Sequence, residues 1–143
     1  MKEDNSMLWE ACLYIVSDWA EDKGYYVDLD GNDNCMCAES KIIELRADNL
    51  DLENKTYIAL HEAGHILIHR APGNIKLLPA SKREEKALTK EERVLVILEE
   101  AEAWKRGYKL GKKLKIPIDD IKWEIERADA LTKYMEWALM ENK

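Results

Sequence analysis

The chain has too few cysteines for a disulfide framework: three in 143 residues, an odd number, with Cys35 and Cys37 separated by a single residue. Such a set points to reduced thiols in a cytosolic setting. Cys35-Met36-Cys37 also lacks a second Cys or His pair at matching spacing, so it does not read as half of a zinc site. No stretch approaches the ~18 uninterrupted apolar residues of a membrane span. The opening MKEDNSMLWEACLYIVSDWAEDKG mixes acids among its apolar residues, so no signal peptide is expected. Positive charge is in deficit: 22 Lys and Arg against 29 Asp and Glu leave a formal charge of −7. That argues against a nucleic-acid binder, because a phosphate-facing surface needs a cationic excess. The basic residues that do cluster, Lys105, Arg106, Lys109, Lys112, Lys113 and Lys115, read as a solvated face near a helix C-terminus. Internal repeats and low-complexity tracts are absent.

What is present specifies a folded chain. An apolar fraction of 46% and five tryptophans suit a globule, and the length suits a single domain over 1–143 with one core. Residues 6–23 read as an amphipathic helix burying Leu8, Ala11, Cys12, Ile15, Val16 and Trp19, with Asn5 or Ser6 at its start and Gly24 at its end. Tyr25–Leu29, CMCAES and KIIELR have strand composition around the turn DGND, which predicts a small antiparallel sheet. A helix over roughly 53–70 stops at Pro72-Gly73, and 71–88 reads as a loop with a solvated SKREEK. Thr89 and Glu92 form a capping box for a long helix ending near Ile116-Pro117. Asp119 caps a last helix, 119–142, with Ile121, Ile125, Ala128, Leu131, Met135 and Leu139 on one face. The fold class is therefore α+β: a small sheet packed with about four helices.

All three histidines fall in TYIALHEAGHILIHRAPG. His61 and His65 are four residues apart, so a helix places them on one face about 6 Å apart along its axis. Glu62 lies about 100° round from His61, able to reach a water on a shared ion without ligating it. That is the chemistry of H-E-x-x-H, two neutral imidazole ligands and a carboxylate base. His69 is about 12 Å along the axis from His61, too far to join the same ion, and is expected to pack at the helix end or line the site.

A catalytic zinc site needs a third protein ligand, and no histidine remains. The acids of LEEAEAW, Glu99, Glu100 and Glu102, are the candidates. Glu100 falls on the line Ile97–Glu100–Trp104–Gly107–Gly111, bordering the apolar face, where a carboxylate is costly unless paired or metal-bound. Helical phase thus favours Glu100 and keeps Glu102 in reserve.

HEAGHILIH, preceded by KIIEL and followed by the E-A-x-x-aromatic segment Glu100, Ala101, Glu102 and Trp104, resembles the ImmA/IrrE-type metallopeptidase domain, a minimal zincin-like fold of the gluzincin kind. The resemblance spans about 25–110, within a metallopeptidase-like core of 25–115. It implies His61, His65 and Glu100 as ligands of one Zn2+ per chain and Glu62 as general base. It further implies a cytoplasmic zinc-dependent endopeptidase cleaving a protein partner, such as a phage, mobile-element or stress repressor. In such an enzyme the edge of a strand at Lys41 to Arg46 could take the substrate as an added strand. Tyr108, Tyr57 and His69 are candidate donors to the oxyanion. The alternative is a non-catalytic metal-binding module that acts by protein–protein binding through the last helix, with Trp123, Met135 and Trp137. A third reading is a metal-free helical protein with a vestigial motif.

Overall fold

A computed structural model describes residues 5–78 and 88–140, so the expectation for SKREEK lies outside the described residues. The elements run α1 (Ser6–Asp22), β1 (Tyr26–Gly31), β2 (Cys35–Cys37), β3 (Ile42–Arg46), α2 (Leu52–Arg70), α3 (Lys90–Lys113) and α4 (Asp120–Leu139). Among the described residues this is the α+β architecture with four helices and a small sheet. The sheet is mixed rather than antiparallel. β3 pairs in parallel with β1 and antiparallel with β2, giving the order β1-β3-β2. The strand expected to present a free edge, Lys41 to Arg46, is therefore the central one, and the outer edges belong to β1 and β2. The reason is burial: Ile43 and Leu45 are the strand residues with least exposure, and a strand buried on a core face is paired on both sides.

The helix boundaries follow the capping chemistry. Asp51 accepts the Asn54 N–H at the start of α2. Thr89 and Glu92 close the reciprocal capping box of α3, and Asp119 accepts the N–H groups of Ile121 and Lys122. Asn5 precedes α1 without a side-chain capping bond. Arg106 closes the far end of α2 by donating to the carbonyls of Leu67, Ala71 and Pro72, which orphan helix-end acceptors require. It is thus a structural cation, unlike the exposed lysines beside it.

α2 and α3 pack through glycines. A Cβ at Gly64 would lie 2.0 Å from the Ala103 carbonyl oxygen, and one at Gly107 2.4 Å from the Leu60 carbonyl oxygen. The small residue at 64 therefore admits the backbone of the facing helix. This backbone-to-backbone approach sets how far an α3 side chain must reach to meet α2.

Two helices are rotated from the expected faces. In α1 the buried stripe is Trp9, Cys12, Leu13, Val16 and Ala20, whereas Leu8, Ala11 and Ile15 are exposed. In α4 Trp123 is buried, whereas Ile121, Ile125, Met135 and Leu139 face solvent. In both cases a tryptophan turns the helix. Trp9 packs edge-on against Tyr57, and Trp123 packs against Tyr57, Trp104 and Tyr108. An indole removes more apolar area from water than an aliphatic side chain. The core runs continuously from Trp9 to Trp123.

Candidate metal centre

The α2 helix turns His61 and His65 toward α3, where Glu100 meets both. One carboxylate oxygen, Glu100 Oε2, lies 2.8 Å from His61 Nε2 and 2.9 Å from His65 Nε2. The three donor atoms fall within 4.8 Å of one another. Bonds of about 2.0–2.1 Å in a tetrahedron place ligand atoms about 3.3 Å apart, close to this spacing. The donor set, two imidazole nitrogens and one carboxylate oxygen, suits zinc.

The protonation pattern fits as well. His65 Nδ1–H donates to Glu99 Oε2 at 2.6 Å. In a neutral imidazole that leaves the Nε2 lone pair facing a carboxylate oxygen, two acceptors in contact unless a cation or proton stands between them. Without a metal a proton does so. Burial disfavours the imidazolium, but the charge of Glu100 and hydrogen bonds with Glu100 and Glu99 outweigh it and lift the His65 pKa to about 10. Glu100 responds in the opposite sense. Burial would raise it, but the charge of His65 and hydrogen bonds from both histidines hold it well below the usual carboxylate range.

Glu62 is buried beside these three side chains, its Oε1 3.4 Å from His61 Nδ1. Its Oε2 has no hydrogen-bond partner among the described residues. Burial pushes its carboxyl above the ordinary value, against the pull of His61 and His65. A buried carboxylate oxygen without a partner costs free energy in a purely structural role.

These groups line a cleft of about 490 Å³. Its walls come from the edge of β2 (Asn34, Cys35 and Met36), from α2, from α3, and from α4 through Glu126, Asp129, Lys133 and Tyr134. Trp104 backs it, stacking on His61 with centroids 4.4 Å apart and planes 14° from parallel. His69 lines the cleft near the end of α2, as its spacing suggested.

The remaining expected residues lie elsewhere. Glu102 is bound to Arg106 at 2.7 Å and is not a ligand in reserve. Tyr57 is buried in the core, its hydroxyl donating to Glu53 and accepting the Asp119 N–H. Tyr108 donates to Asp120 on the rim of a separate groove. Neither hydroxyl reaches the cleft, because each is spent on fixing the start of α4. Sequence reasoning named Glu99 only as a candidate ligand and did not name Tyr134, which lines the cleft. Glu99, 1% exposed on its side chain, orients His65, and the neighbouring pair of acids was its only signal. Tyr134 carried none. Compared with protein-family models, with curated proteins and with solved structures, the chain matches none of them.

Proposed function

We propose that the protein is a zinc-dependent endopeptidase acting on a protein partner. The observation that carries this reading is the convergence of His61, His65 and Glu100 on one point beside the unpartnered Oε2 of Glu62. His61, His65 and Glu100 would hold the ion, with Glu99 fixing the tautomer of His65. A bound zinc ion would supply Lewis acidity toward a peptide carbonyl and acidify a water. Glu62 accepts the proton of the attacking water and delivers it to the leaving amine. Tyr134 offers a phenol on the cleft wall to the developing oxyanion. An extended substrate adds to the open edge of β2, which borders the cleft, rather than to β3. The resemblance to ImmA/IrrE-type domains supports a repressor as the natural substrate, and three unpaired thiols fit a reducing cytoplasm. Among the described residues no helix is long and apolar enough to cross a membrane.

The rival reading, a metal-holding module that works by binding alone, draws support from the exposed apolar face of α4. Metal analysis and mutation separate the two. The purified protein reconstituted with zinc should hold about one ion per chain, and His61→Ala should lose it. Glu62→Gln should retain zinc yet cleave a mixed peptide library at least about a hundredfold more slowly, read by mass spectrometry. Failure of the wild type to bind zinc would sink the enzyme reading. Zinc binding without cleavage in the wild type would favour the module.

A further inference from the structure

α4 carries two apolar lines, and only one of them is used by the fold. Trp123, Ala130 and Trp137 recur every seven residues and pack inward, with Arg93 stacking on Trp137 and donating to the carbonyls at the helix end. On the opposite side run Ile121, Ile125, Ala128, Thr132, Met135 and Leu139. Their spacing of four, three, four, three and four is a heptad seam of a and d positions. Over this length a straight helix drifts only about 50° from such a seam. The large members are open to solvent: Ile121 74%, Ile125 61%, Met135 55% and Leu139 76% exposed. Contiguous exposure of this kind marks an interaction surface.

We propose that this seam is a homodimer interface in which α4 pairs antiparallel with α4 of a second copy. The register closes on itself. With the two-fold axis at residue 130, Ile121 meets Leu139 of the second copy, Ile125 meets Met135, and Ala128 meets Thr132, so every large residue faces a large one. Charge selects the direction. Lys122, which also binds Glu53 of its own chain at 2.9 Å, and Glu136 flank the seam and face each other across the antiparallel pair, twice by symmetry. A parallel pair would instead offer no such opposite-charge contact and would bring Glu124, bound to Arg127 at 2.7 Å, against Asp129 of the second copy, twice by symmetry. At the axis the two Asp129 side chains approach, each already paired with its own Lys133 at 3.2 Å. Because Asp129 and Lys133 also line the cleft, the second copy would stand at the cleft rim.

Sedimentation velocity of the full chain tests this without any reference to the metal. At about 100 μM, a range that reveals small transient interfaces, the species should have twice the 16.6 kDa chain mass. Ile125→Glu or Met135→Glu should weaken dimerisation about a hundredfold or more, since each dimer then buries two charges. Far-UV circular dichroism should be unchanged, because both side chains are exposed. Glu136→Lys, which leaves the Lys122–Glu53 pair in place, should weaken the dimer about tenfold, and adding Lys122→Glu should restore it. A wild-type monomer at this concentration, or a dimer indifferent to Ile125→Glu, overturns the interface. A charge swap that fails to rescue overturns the antiparallel register. Zinc binding by a strictly monomeric chain would leave the peptidase reading standing while removing this one.

Discussion

The Nδ1–H of His65 donates to Glu99 at 2.6 Å while Nε2 of the same ring faces Glu100 at 2.9 Å, so one imidazole links two consecutive carboxylates of α3. Glu99→Ala should leave the fold cooperative but lower zinc affinity by about 10- to 100-fold, the usual cost of losing a group that orients a ligand histidine. Glu99→Gln, which can still accept the hydrogen bond, should recover part of that loss. Competition against a chromophoric chelator measures both, and an unchanged affinity in Glu99→Ala would remove Glu99 from the centre.

Gly64 offers a test of helix spacing. In an unencumbered helix Gly→Ala gains about 1 kcal/mol of stability. Here the new methyl would meet the Ala103 carbonyl at 2.0 Å. Steric overlap with backbone should win, leaving Gly64→Ala net destabilised by about 1–3 kcal/mol and weakening zinc binding as α3 is pushed away. A melting temperature above that of the wild type would show that α2 and α3 are not in this contact.

The pH dependence of chelator-treated protein follows from the same cluster. The folded pKa of His65, about 10, lies above its ordinary 6.5, so the folded chain keeps a proton that the unfolded chain releases. That contribution is complete below about pH 6.5 and is lost as pH rises through 10. Glu100 is depressed from 4.5, so its contribution is present above that value and lost as pH falls below it. Raised Glu62 opposes stability as pH rises past 4.5, the same direction as His65. Urea midpoints should therefore peak near pH 5–6 and decline toward pH 10. Added zinc should move the optimum upward, because protons compete with the metal for imidazole nitrogen. Rising stability from pH 6.5 to 10 in the chelated sample would contradict the arrangement.

The three thiols should react in a fixed order. Hydrogen bonds from Ser40 lower the Cys37 pKa at an exposed position. Partial burial, then the charges of Glu44 and Glu62, push Cys35 up to about 11. Cys12 is buried and raised by that burial. Limited iodoacetamide treatment at pH 7.5 should label Cys37 at least about tenfold faster than Cys35, with Cys12 last. Peptide mass spectrometry reads the order, and Cys35 labelling first would refute the placement of Glu44 against it.

Much of this molecule is legible from local chemistry. The Thr89–Glu92 box and the Asp119 cap act on the backbone within four residues, so sequence alone places the starts of α3 and α4. The four-residue spacing of His61 and His65 likewise determines that their rings share a face. The convergence of Glu100 with them was legible too, through helical phase. The tertiary structure decided what depends on competition between distant surfaces. Aliphatic stripes and tryptophans offered α1 and α4 two possible inner faces each, and pattern could not rank them. Trp9 and Trp123 won by meeting Tyr57. The parallel pairing of β1 with β3 made the expected edge strand central. Tyr57 and Tyr108 carry donors fit for an oxyanion, yet the path of the chain into α4 consumed both hydroxyls. Spacing along one helix is a property of the backbone and travels with the sequence. Which side chain faces which across the core is settled only when all the elements compete at once for buried area.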